Sequence, residues 1–153
     1  MTIEDDIAFF ERVPTLNMLG RPALRILAIG AESRYVHSGG VLFSAGDPAD
    51  SGFVVQEGAF NLTAREAEGG NSVVVGRGTL IGELALLTET LRPVTATANE
   101  PSTVLRIPRT LFLKMLEGYP DAAKKLRDII AARADQSMHE IYGVQSTLDD
   151  RRY

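Results

Sequence analysis

Residues 81–96 read Ile81-Gly82-Glu83-Leu84-Ala85-Leu86-Leu87-Thr88-Glu89-Thr90-Leu91-Arg92-Pro93-Val94-Thr95-Ala96. Two local habits meet in this stretch. Glu-Leu-Ala-Leu-Leu favours a helix, whereas the segments on either side of it read as strands. A single helical turn set among strands exposes its first N–H groups, and those donors together with the helix dipole favour a small anion. Gly82 lets a ligand approach the main chain. Glu83 only accepts hydrogen bonds, so it suits a sugar hydroxyl and repels a phosphate. Arg92, nine residues after the acid, offers a planar fork of donors that suits phosphate oxygens. An acid for ribose, with a guanidinium and amides for phosphate, reads as a pocket for a nucleotide monophosphate.

The surrounding chain predicts strands from Glu32 to Ile107. Short apolar runs recur at Val41–Phe43, Phe53–Val55, Phe60–Thr63, Val73–Val75, Val94–Ala98 and Val104–Ile107. Glycine-bearing turns separate them at Ser38-Gly39-Gly40, Ala45-Gly46-Asp47-Pro48, Glu57-Gly58, Glu68-Gly69-Gly70 and Arg77-Gly78. Such spacing predicts an antiparallel sandwich or barrel. Helical periodicity flanks it on both sides. In residues 1–31, Ile7, Phe9 and Phe10 share one face and Leu24, Leu27 and Ala28 another, with Pro22 at a helix start and Pro14 and Gly20 as breaks. In residues 110–142, a short helix carrying Leu111, Phe112, Met115 and Leu116 stops near Gly118-Tyr119-Pro120. A longer one is expected to start with Asp121 as its cap. Its apolar stripe runs through Ala123, Leu126, Ile130, Ala134, Met138 and Ile141 and is long enough to predict a homodimer seam along 121–142.

Composition narrows the function. One domain is expected over 1–153, long enough to bury a core. With 44% apolar and 24% charged residues, the chain is built to fold rather than remain disordered. The net charge is −4, and no lysine- or arginine-rich stripe is present to neutralise a nucleic-acid backbone. The absence of cysteine removes disulfides, thiolate metal sites and cysteine nucleophiles, and fits a reducing compartment. The N-terminus is acidic where a signal peptide is basic, and no apolar run approaches the roughly 20 residues of a membrane span. A soluble cytoplasmic protein is expected. His37 and His139 are too few for a metal site, and there is neither a Gly-x-Ser-x-Gly elbow nor a Gly-x-x-x-x-Gly-Lys loop. The sequence therefore predicts no enzyme, no metal and no cofactor.

From about Phe10 to Tyr142 the chain resembles the cyclic nucleotide-binding domain family of bacterial catabolite-activator regulators, protein kinase A regulatory subunits and cyclic-nucleotide-gated channels. Two motifs carry the resemblance. One is Gly82-Glu83-Leu84-Ala85-Leu86-Leu87 with Arg92. The other is Gly46-Asp47-Pro48-Ala49-Asp50, followed by Phe53-Val54-Val55 and Gly58. The resemblance implies an α+β fold, an antiparallel β-roll or jelly-roll barrel over 32–107 flanked by short N-terminal helices and a C-terminal helix pair.

It also implies the roles within the phosphate-binding cassette at 81–96. Glu83 would hold the ribose 2′-hydroxyl, with Gly82 lending main chain beside it. The Ala85 amide and Arg92 would hold the cyclic phosphate of cyclic AMP or cyclic GMP. Leu84, Pro93 and Val94 complete the expected site, and Ser137 on the long helix is the expected base contact, with Met138 or Ile141 covering the ring. The family usually has Ala, Ser or Thr after the arginine, and that residue's amide also bonds the phosphate. Pro93 has no N–H to give, which predicts weaker binding by about tenfold to a hundredfold. Signalling would run through the C-terminal helix to an unidentified downstream protein. Only 143–153 follow that helix, too short for a helix-turn-helix, so a stand-alone sensor without a DNA-binding domain is expected. The competing reading is an interaction module of the same fold that has lost the nucleotide, with Glu83 and Arg92 paired to each other or Arg92 tied to an internal acid or a partner.

Overall fold

The computed structural model describes residues 2–66, 69–129 and 132. Helix α1 (Ile3–Phe10) starts at a reciprocal cap: the Asp5 N–H donates to the Thr2 hydroxyl and the Thr2 N–H donates to the Asp5 carboxylate. It buries Ile7, Phe9 and Phe10. A 3-10 turn at Leu16–Met18 leads into α2 (Arg21–Gly30), which holds Pro22 in its first turn and buries Ala23, Leu24, Leu27 and Ala28. The faces expected from the sequence are the buried ones.

Ten strands follow among the described residues: β1 (Glu32–Val36), β2 (Val41–Phe43), β3 (Pro48–Ala49), β4 (Ser51–Glu57), β5 (Ala59–Ala64), β6 (Ser72–Gly76), β7 (Leu80–Ile81), β8 (Thr90–Leu91), β9 (Val94–Ala98) and β10 (Ser102–Pro108). They form two four-stranded sheets, ordered β1-β10-β4-β7 and β2-β9-β5-β6, and the two-stranded ladder β3-β8. The pairing is antiparallel, as in β5–β9, where Leu62 faces Ala96 and Ala64 faces Val94. The sheets pack over one core containing Phe43, Phe53, Val55, Phe60, Leu62 and Val104. They do not join edge to edge into a continuous barrel. The β-roll is closed by side-chain packing between the sheets, not by hydrogen bonds around its circumference.

Strand β4 is apolar on both faces for a simple reason. Phe53 and Val55 point into the core between the sheets, while Val54 joins a second core with Leu105, Ile107 and the helices. Helix α3 (Arg109–Gly118) contributes Phe112 and Met115 to that second core, alongside Ile7, Phe10, Leu24 and Leu27.

Three local expectations need adjustment. Residues 32–36 form a strand, although Glu-Ser-Arg-Tyr-Val carries no apolar alternation. This strand is a mostly exposed sheet edge paired only with β10, so burial never patterned it. The sequence also hides the two-residue strands at 80–81 and 90–91. The second C-terminal helix is already helical at Pro120, and the Ala123 N–H donates to the Tyr119 carbonyl at 3.1 Å. Pro120 therefore takes the first helical position, where its missing N–H is harmless, and Asp121 lies inside the first turn and is not its cap.

Candidate functional site

The cassette is a 3-10 turn, Glu83–Leu86, entered through Gly82 at φ +83. That left-handed value favours glycine. Space is tight as well: a Cβ there would stand 2.6 Å from Arg92 Nη1, which would have to shift, and 3.3 Å from the Ser51 carbonyl oxygen. Leu86 drops into the helical core at 1% exposure and anchors the turn.

Arg92 is held from both ends. Its main chain is fixed by two hydrogen bonds to the β2–β3 connection: Gly46 N–H to Arg92 O, and Arg92 N–H to Asp47 O, each 2.8 Å. The Gly46-Asp47-Pro48 motif and the arginine are thus one structural unit, although 46 residues separate Gly46 from Arg92 in sequence. The side chain is 5% exposed and stacks over Phe43 and Phe53, with the guanidinium carbon 4.3 Å and 5.3 Å from the ring centroids. Nη2 donates to Ser51 Oγ at 3.3 Å. Nη1 is buried without a hydrogen-bond partner. Burial pulls the Arg92 pKa below its ordinary value, and the nearby Asp50 acts in the opposite direction.

Glu83 and Arg92 are not an ion pair. Glu83 is half-buried and accepts a hydrogen bond from the Thr15 hydroxyl on Oε2. Thr15 is itself buried, at φ 76 and ψ −50, a backbone conformation that is strained for a β-branched residue. Among the described residues no carboxylate bonds Arg92. Its counter-charges, Asp50 and Asp47, act across a distance.

A cavity of about 220 Å³ opens at this point. Of the expected site residues, Gly82, Leu84, Ala85, Arg92 and Pro93 line it together. Val94 does not line it; its side chain is 3% exposed and belongs to the core between the sheets. The Ala85 N–H closes the turn onto the Gly82 carbonyl at 3.1 Å. Ser137, Met138 and Ile141 lie outside the described residues, as does His139. His37 is exposed, with its ring set edge-on to Tyr35. Among the described residues no group of three His, Cys, Asp or Glu could hold a metal ion, and no helix is long and apolar enough to cross a membrane.

Sequence reasoning missed the remaining walls, Ala49, Thr90 and Leu91, and also Ser51 beneath the guanidinium. Ala49 and Ser51 carried a signal, since they sit in and beside the Gly46–Asp50 motif. Thr90 and Leu91 had none.

Residues 33–119 match the family described as the cyclic nucleotide-binding domain. The chain belongs to that family. Among curated proteins, it is 38% identical over 100 residues to lysophospholipase nte1 of Neurospora crassa, a match covering 64% of this chain and only 7% of that one. Among solved structures, it is similar to a cyclic nucleotide-binding-like protein from Brucella abortus, with 34% identity, a TM-score of 0.65, and coverage of 74% of this chain and 98% of the other. The N-terminal domain of a transcriptional regulator from Streptomyces coelicolor matches with 27% identity, a TM-score of 0.77, and coverage of 87% and 94%. This cyclic nucleotide-binding domain thus has relatives in regulators and, as a small segment, in much longer fungal enzymes.

Proposed function

We propose that this domain binds a cyclic nucleotide monophosphate, cyclic AMP or cyclic GMP, beside Arg92 and reports it through its C-terminal helices. One observation carries the reading: Arg92, which lines the cavity, is nearly fully buried and keeps one guanidinium nitrogen without a hydrogen-bond partner. A buried cation whose counter-charges act only from a distance is costly, and an entering phosphate monoester would offset that cost. The stacked phenylalanines hold the fork in place beforehand, so little ordering is lost on binding.

The cavity is small for a whole nucleotide. It suits the ribose and cyclic phosphate, with the base extending past the exposed rim of Leu84 and Leu91. Glu83 would exchange or share its Thr15 bond to accept the ribose 2′-hydroxyl. The Gly82 and Ala85 main chain would border the phosphate, and Pro93 would lower affinity without abolishing it. A homodimer through 121–142 or an unidentified downstream protein would read the helix. We read the chain as a sensing module rather than a catalyst. The Streptomyces relative, a domain of a transcriptional regulator, supports that role, and the lysophospholipase match supports a sensing segment of a longer protein equally well.

The interaction-module reading ties Arg92 to an internal acid or to a partner, and the lack of a bonded carboxylate among the described residues speaks against the first of these. Melting curves with and without cyclic AMP or cyclic GMP test it. A ligand-dependent rise that disappears in Glu83→Ala and Arg92→Ala is expected. No rise with either nucleotide would favour the module.

A further inference from the structure

Arg109 opens α3 just outside the cavity. Its main-chain N–H donates to the Asp50 carbonyl at 2.8 Å. A single side-chain nitrogen, Nη1, donates to three main-chain carbonyls: Ala49 at 3.0 Å, Ala85 at 3.3 Å and Thr88 at 2.9 Å. These acceptors belong to different walls. Ala49 lies on β3, Ala85 in the cassette turn and Thr88 just beyond it, and both alanines line the Arg92 cavity. One side chain therefore ties the start of α3 to both sides of the pocket.

Physical chemistry explains why a cation belongs there. The last carbonyls of a helical turn have no partner within it and carry partial negative charge, which favours a positive group. A 3-10 turn of four residues has few bonds of its own, so contacts from outside fix its position. Nη1 has only two hydrogens for three acceptors, so the bonds are shared. A small displacement of the turn relative to β3 must lengthen at least one of them. Helix α3 cannot ignore such a displacement, because Phe112 and Met115 anchor it in the same core as Leu86 of the turn.

We propose that Arg109 is a positioning residue for the anion site: it holds the cassette turn against β3 and passes a movement of that turn into α3. The second half rests on the nucleotide-binding reading; the first half does not. The groups that the Arg109 side chain bonds are main-chain carbonyls, so its effect is geometric.

Hydrogen exchange by mass spectrometry tests both halves on wild type, Arg109→Met and Arg109→Lys, with and without cyclic AMP or cyclic GMP. A lysine ammonium can serve several carbonyls from one nitrogen, whereas methionine can serve none. Without nucleotide, peptides spanning 83–91 should exchange about tenfold faster in Arg109→Met than in wild type. Arg109→Lys should recover much of the difference, and peptides spanning 53–62 should not change. With nucleotide, wild type should gain protection in both 83–91 and 109–118, and Arg109→Met in 83–91 alone. Equal rates over 83–91 in wild type and Arg109→Met would overturn the clamp. Equal nucleotide protection of 109–118 in both would overturn the transmission. If wild type shows no nucleotide response at all, the nucleotide-binding reading fails and the transmission with it, while the ligand-free comparison still decides the clamp.

Discussion

Arg92 Nη2 donates to Ser51 Oγ at 3.3 Å, and Ser51 Oγ in turn donates to Asp50 Oδ1 at 3.0 Å. The serine proton is committed to the acid, so its oxygen faces the guanidinium as an acceptor. This steadies one side of Arg92, while Nη1 stays buried without a hydrogen-bond partner. The arrangement spends stability on readiness. Arg92→Met keeps the apolar stem on Phe43 and Phe53 and removes a buried, incompletely satisfied charge. Its ligand-free melting temperature should rise by about 2–4 °C, on the order of 1 kcal/mol, while the response to nucleotide disappears. Thermal denaturation of both proteins checks this.

Asp50 links that chain to the surface, because Arg106 donates to its Oδ2 at 3.1 Å and also reaches Glu32. Burial raises the Asp50 pKa, but the Ser51 hydrogen bond and the Arg106 charge outweigh it, and the carboxyl sits below its ordinary 3.8. A depressed folded-state value means that the stabilisation is complete above the unfolded value and is lost as pH falls through the folded one. Wild type should therefore lose stability relative to Asp50→Asn as pH drops below about 3.8. Other groups, such as Asp5 and Asp6, cancel in the comparison. Denaturant midpoints of the two proteins from pH 6 to pH 2.5 should converge; midpoints that stay parallel would contradict the linkage.

Gly82→Ala places a methyl against Arg92 Nη1 at a backbone φ of +83. The variant should lose about 1–2 kcal/mol by urea denaturation. It should also lose nucleotide binding, because the guanidinium must leave its stack. Retained binding would show that the glycine serves only the turn.

Pro93→Ala restores the one donor that the site lacks. Pro93 lines the cavity and is exposed, so the change costs the fold little. Affinity for the cyclic nucleotide should improve by about tenfold, the worth of one hydrogen bond to a charged phosphate. Titration of the variant against wild type measures it. Unchanged affinity would mean that the main chain at 93 does not face the phosphate.

The cassette was legible because its chemistry is local: Gly82, Ala85, Arg92 and Pro93 lie within a dozen residues and meet at one cavity. Strands such as β4 and β5 were legible because burial imposes an apolar pattern on them. β1 escaped notice because an exposed edge imposes none. The contacts that orient the site were illegible for a different reason. Thr15 reaches Glu83 across 68 residues and Arg109 reaches Ala49 across 60, and no periodicity records such pairings. Nor did the sequence carry any sign that Glu83 Oε2 accepts from the Thr15 hydroxyl of the N-terminal segment.

The central claim is that the unpartnered side of Arg92 traps a cyclic phosphate monoester, and isothermal titration of wild type and Arg92→Met with cyclic AMP and with cyclic GMP tests it most directly. Saturable heat with at least one nucleotide in wild type, absent in the variant, is the expected result. Flat titrations of wild type with both nucleotides up to millimolar concentration, or equal heats in the two proteins, would contradict it.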